Sequence, residues 1–167
     1  MTILRRMSQP EYVVWLAEAI PEYAADKVAS GEWADDVALA LSRKEFDELL
    51  PDGVETAENH LFTVSSAQGT PVGVLWFAVK TKFDARIAYV FDVVIHEEHR
   101  RKGHARRAFL AMEDEVRKLG LTGVALHVFG HNTGARALYE ALGYLPTNLS
   151  LFKPIGPAVL DFPPAHR

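Results

Sequence analysis

Cysteine is absent from the 167 residues. That excludes disulfides, thiol nucleophiles and cysteine-ligated zinc, and a reducing compartment suits it. Long apolar runs are missing as well. The longest, Val72 to Val79, is far short of the roughly 20 residues a membrane span needs. Arg5 and Arg6 stand near the N-terminus, but Glu11 and Glu18 break any signal-peptide core. Neither charge sign dominates: 18 Lys and Arg against 22 Asp and Glu leave a net charge of -4. The surface as a whole is therefore not built for nucleic acid. No repeat or low-complexity block occurs. The expectation is a soluble, cytoplasmic protein with no membrane and no nucleic-acid partner.

Hydrophobic residues make up 49% and charged residues 24%, as in an ordinary globular domain. The length predicts one domain over residues 1–167. Ile3 to Arg6 reads as a short strand. Ser8 is a candidate helix cap before Pro10. Val13, Val14, Leu16, Ala17 and Ile20 form a helical stripe that Pro21 could interrupt. A second helix is predicted from Trp33 to Leu50, closed by Pro51-Asp52-Gly53. Leu61–Ser65 and Pro71–Val79 predict a hairpin around Gln68-Gly69-Thr70.

Ala88 to Ile95 is the next strand. A helix follows, with Ala105, Ala108, Phe109, Met112, Val116 and Leu119 on one face and Gly120 as its cap. Val124 to Phe129 alternates as a strand. A last helix is predicted from Asn132 to Gly143, then a strand pair at Tyr144–Leu145 and Asn148–Phe152. The proline-rich tail, 154–167, reads as extended. This order predicts a mixed α/β sheet with helices on both faces.

The junction at Arg100-Arg101-Lys102-Gly103-His104-Ala105 is the most informative stretch. A strand, a short cationic turn with a glycine, and a helix start present backbone N–H groups to an anion. The turn lacks the Gly-Lys-Ser/Thr of a P-loop and the Gly-x-Gly-x-x-Gly of a dinucleotide site. A second constellation runs from His131 to Tyr144. Asn132 is a favoured helix cap. Tyr139 lies seven residues on, along the same helix face. It sits at the core edge, where a phenol can have an apolar ring contact and a polar tip.

Together these resemble the GNAT superfamily of N-acetyltransferases. Arg100, Gly103 and Ala105 match its (Arg or Gln)-x-x-Gly-x-(Gly or Ala) motif. Asn132, Ala135, Leu138, Tyr139, Gly143 and Tyr144 match a second pattern, with one helix and one strand between the two. The resemblance covers 61–153 and implies a mostly antiparallel sheet of six to seven strands. It implies acetyl-CoA as cosubstrate, its pyrophosphate held by Arg100, Arg101, Lys102, Gly103, His104 and Ala105. Val93 and Ile95 would offer main-chain groups to the pantetheine arm, and Asn132 and Tyr139 would also contact the cofactor. Tyr139 would be the general acid that protonates the leaving thiolate. The acceptor side would be residues 8–55.

Acetyl transfer needs a neutral amine, a polarised carbonyl and a protonated leaving group. Without cysteine the attack is direct. Two residues could accept the ammonium proton: Asp92 within the central strand, and His127 on the next, with a suitable unperturbed pKa. The acceptor is read as the primary amine of a small molecule or peptide, and a homodimer is allowed. Three other readings stay open: transfer of a larger acyl group, an acyl-CoA-binding module without turnover, and an RNA-binding domain using the basic loop. His96, His99, His104 and His131 lack metal-ligand spacing, so no metal is expected. Trp15, Trp33 and Trp76 read as core rather than an aromatic cage, although Trp33 would line the acceptor entrance if the first two helices cover it.

Overall fold

Runs rich in β-branched, aromatic and other apolar residues become five strands in the computed structural model, which describes residues 2–82, 84–153 and 155–156. β1 (Thr2–Arg6), β2 (Asn59–Ser66), β3 (Pro71–Lys82), β4 (Ala85–Ile95) and β5 (Val124–Leu126) form one sheet in that order. β1 to β4 pair antiparallel, and β4 pairs with β5 parallel. The sheet is mixed and mostly antiparallel, with five strands among the described residues instead of six to seven. The helices are α1 (Gln9–Ala29), α2 (Asp35–Leu49), α3 (His104–Lys118) and α4 (Thr133–Ala141).

Two expectations need correction. No strand forms at 144–145 or 148–152. Leu145, Leu149 and Leu151 are exposed there; a strand needs a neighbour's ladder, and Pro146 offers no donor. The strand at Val124 stops at Leu126, short of Phe129. Pro21 does not interrupt α1, which runs on to Ala29. The tail reading at 154 and 157–167 lies outside the described residues. No helix among the described residues is long and apolar enough to cross a membrane.

The chain divides into two compact units: Met1–Glu18 with Phe46–His127, and Ala19–Glu45 with Val128–Arg167. The first holds the sheet. Trp76 and Phe77 of β3 project to opposite faces, and both are fully buried. On Trp76's face, the start of α1 lays Trp15 edge-on against it, ring centroids 5.6 Å apart. On the other face His60 stacks on Phe77, and Glu115 of α3 acts on the His60 charge. α3 buries Ala108, Phe109, Met112 and Val116, each large side chain contributing about 1.5–3 kcal/mol. Helices thus cover both faces.

Ser8 begins α1 as expected. Its N–H donates to Glu11 Oε2 at 2.9 Å, and Arg5 pairs with the same carboxylate. Together, led by the Arg5 bond, they hold the Glu11 carboxyl down at about 2. In the second unit the buried Ser42 Oγ donates to the Ile20 carbonyl at 2.7 Å. That bond ties α2 to α1 one residue before Pro21.

Candidate active site

One extra residue shapes β4. Trp76 pairs with Asp92, yet Phe77 pairs with Val90, so Phe91 is a bulge. Phe91 stacks on Trp76 at 4.5 Å. The bulge reverses which residues turn their main chain outward. Before it, Ala88 N–H donates to the carbonyl of Gly123, the residue ahead of β5. Beyond it, His96 N–H donates to Val72. By alternation Asp92 and Val94 also face β3, while Val93 and Ile95 face away from it. β5 pairs only with Ala88, Tyr89 and Val90. Among the described residues, the outer edge of β4 from Phe91 to Ile95 therefore has no ladder neighbour. Gly73 keeps this segment close to β3: a Cβ there would lie 2.1 Å from the Val94 carbonyl oxygen.

The cationic turn follows directly. Arg101 (φ 61°) and Gly103 (φ 77°) are both left-handed. This costs an arginine about 1–2 kcal/mol but suits glycine. Gly103 is the N-cap of α3, and the first bond of the helix is Arg107 N–H to the Gly103 carbonyl. The N–H groups of Gly103, His104, Ala105 and Arg106 stand outside the helical ladder. Several cations of the turn bind main chain. Arg100 Nε donates to the Ile95 carbonyl, Lys102 Nζ to that of Glu98, and Arg107 to that of Lys102. Arg101 and Arg106 are exposed, with no hydrogen-bond or ion-pair partner among the described residues. The turn is braced by some of its cations and leaves Arg101 and Arg106 exposed.

The His104 side chain turns the other way. Its Nδ1 lies 3.2 Å from Thr2 Oγ1. The ring lines a cavity of about 350 Å³ with Ser66, Gln68, Thr70, His99 and Arg107. Burial, then Arg107, His99 and Lys102, push its imidazole below the usual value.

Asp92 and His127 differ sharply. Asp92 is half-buried beside the bulge and accepts a 2.8 Å bond from Trp15 Nε1. No sequence pattern links those two residues. His127 lies one residue past β5, not on the strand as expected, and is exposed.

Asn132 and Tyr139 belong to the second unit. The Asn132 side chain caps α4 by accepting from Ala135 N–H at 3.1 Å. Tyr139 is buried, 9% exposed. At the other end of α4, Tyr144 N–H donates to the Tyr139 carbonyl and Gly143 N–H to that of Glu140. With Gly143 at φ 87° this is a Schellman cap. The Tyr139 and Tyr144 rings meet at 5.7 Å, the contact that accompanies such caps. The motif's glycine and final aromatic thus set the end of the helix that carries Tyr139.

Trp15 and Trp76 are core residues, at 5% and 1% exposure. Trp33 is not. It is half-buried, meets Tyr23 edge-on at 5.6 Å, and faces the Lys27 ammonium.

The sequence model of the acetyltransferase (GNAT) family matches residues 22–144. "Uncharacterized N-acetyltransferase YycN" of Bacillus subtilis (strain 168) is 35% identical over 154 residues, 92% of this chain and 99% of its own. "Uncharacterized N-acetyltransferase YdgE" of the same strain is 27% identical over 150 residues, covering 90% and 96%. The crystal structure of YycN superposes with a TM-score of 0.88 at 32% identity, over 94% of this chain and 100% of that one. AAC(6')-Iy, solved in complex with the bisubstrate analogue CoA-S-monomethyl-acetylneamine, shares the fold. Its TM-score is 0.57 at 14% identity, over 92% and 97% of the two chains.

Proposed function

The chain belongs to the acetyltransferase (GNAT) family and is an N-acetyltransferase; from that premise we propose that it moves acetyl from acetyl-CoA directly to a primary amine of a small molecule or peptide. The observation that carries this is β4, which outruns β5 by the residues Phe91 to Ile95 and feeds a left-handed turn at a helix start. An unpaired strand edge fits an amide-bearing arm, and the N–H groups at the start of α3 fit a pyrophosphate. The bound CoA analogue of AAC(6')-Iy, on the same fold, supports the same cosubstrate.

Acetyl-CoA supplies an activated acetyl thioester. Val93 and Ile95 main-chain groups hold its arm, the Ile95 N–H being the free member since its carbonyl takes Arg100. Gly103, His104 and Ala105 present N–H groups to the phosphates, Arg100 and Lys102 brace the turn, and Arg101 lends an unpaired charge. Asn132 orders the start of α4, and the Tyr139 hydroxyl donates a proton to the departing sulfur. Asp92, held by Trp15, receives the proton of the attacking amine in preference to the exposed His127. The reaction takes place in the cytoplasm and needs no metal.

Thiol release from acetyl-CoA over a panel of amines and peptide N-termini tests the reading. Release that requires an amine is expected. CoA binding without release by any amine would leave an acyl-CoA-binding module instead.

A further inference from the structure

The end of α1 builds a receptor for a positive charge. Lys27 Nζ lies 5.5 Å from the ring centroid of Tyr23, 5.4 Å from that of Trp33 and 6.0 Å from that of Phe129. Three aromatic faces around one ammonium form a box, since each face carries the negative lobe of its quadrupole. Local chain geometry makes two walls. Tyr23 and Lys27 are one helical turn apart, and Trp33 N–H returns to the Lys27 carbonyl at 3.3 Å. Lys27 stands in the last turn of α1, where the helix dipole favours a cation.

The surroundings are acidic. Glu32 pairs with Lys27 at the rim, Tyr23 Oη donates to Glu45, and Asp26 pairs with His131. Between Ala19 and Glu45 there are six acidic residues against three basic. Lys27's side chain is 16% exposed, whereas Glu32 and Asp26 are 46% and 50% exposed. The rim is therefore open to solvent, and the occupant hangs on a flexible stem.

We propose that Tyr23, Trp33 and Phe129 form a binding site for an ammonium group of the acceptor, and that Lys27 is a resident surrogate which the acceptor displaces. The proposal rests on the N-acetyltransferase reading for the word acceptor. Chemistry then narrows the class. The nitrogen that attacks must be neutral, while this box holds a nitrogen that stays charged. The acceptor therefore carries at least two basic nitrogens, as a diamine, a polyamine or a multiply aminated sugar does.

The test separates binding from turnover. Tetramethylammonium, which cannot be acetylated, is titrated without acetyl-CoA at constant ionic strength, and its binding is read by isothermal titration calorimetry. Lys27→Ala should bind it about 2- to 30-fold more tightly than the parent chain, the range of one to a few cation–π contacts. Lys27→Met, which keeps the stem, should tighten binding in the same sense if the alanine variant does not fold. Adding Trp33→Ala should remove the gain. In turnover, Trp33→Ala should raise KM for 1,4-diaminobutane by a larger factor than KM for 1-butylamine. A folded Lys27 variant that binds tetramethylammonium no better than the parent would overturn the proposal, and so would equal KM effects on diamine and monoamine. Tighter tetramethylammonium binding with no thiol release from any amine would keep the box and remove the N-acetyltransferase reading.

Discussion

The turn after β4 and the box at the end of α1 both manage charge, from opposite materials. In the turn the proposed receptor is main chain: N–H groups at the start of α3, with Arg100, Lys102 and Arg107 spent on carbonyls that hold its shape. In the box the receptor is side chain: three rings around an ammonium. A main-chain receptor depends on backbone angles, so a glycine is its vulnerable point. A side-chain receptor tolerates backbone change and depends on each ring.

The sharpest separation of chemistry from binding lies at Tyr139. Tyr139→Phe keeps the ring against Tyr144, so CoA affinity should hardly change. The single-turnover rate of acetyl transfer should fall about 10²–10⁴-fold, the range for general acid catalysis. An unchanged rate would leave Tyr139 a structural residue.

Gly103→Glu tests the main-chain receptor. It places a carboxylate at the phosphates and a side chain at φ 77°. The fold should persist, because the nearest obstacle is the end of a long side chain, Arg107 at 2.8 Å, and not backbone. CoA affinity should fall at least about tenfold, because repulsion between the new carboxylate and the phosphates needs to cost only about 1.4 kcal/mol to do so. The CoA-induced rise in Tm reads it; a full rise in the folded variant would move the phosphate site elsewhere.

Trp15→Phe asks whether side-chain geometry matters in the first unit too. It removes one hydrogen bond to the half-buried Asp92 carboxylate. Urea denaturation should show a loss of about 1–3 kcal/mol. A stability equal to the parent's would mean water replaces the indole.

The smallest effect concerns Glu11. Its folded pKa, about 2, lies below the ordinary carboxylate value. Its contribution is thus present above the unfolded pKa and is lost as pH falls through the folded one. Glu11→Gln should reduce stability at neutral pH by on the order of 0.5–1 kcal/mol, as partly exposed pairs do. It should also flatten the fall in stability from about pH 4.5 to about 2. Parallel acid-melting curves for the two chains would discount the pair.

What could be read from the sequence follows the same division. Ser8, Gly103, Gly120, Asn132 and Gly143 act within a few residues of themselves, and their turns and caps were legible. α3 was legible because one face of it is apolar throughout. The missing strands at 144–152 show the limit: Leu149 and Leu151 have the pattern of a strand, but pairing depends on a distant neighbour. β3 and β4 are longer than their apolar runs because they support each other out to Lys82 and Ala85. Trp15 beside Asp92, and Phe129 beside Lys27, unite residues far apart in the chain. No local spacing announces such pairs.

Phe91 gives β4 an antiphase boundary of the kind found in crystals. Order holds on both sides, displaced by one step. Up to Val90 the even-numbered residues address β5; past Asp92 the odd-numbered ones face outward. Delete that one residue and both halves must share a phase, so the half that grips β5 or the half that leads to the turn has to roll over. The number of residues in this strand therefore carries information that no single side chain does. A strand could keep every other side chain and still lose the phase between its two halves.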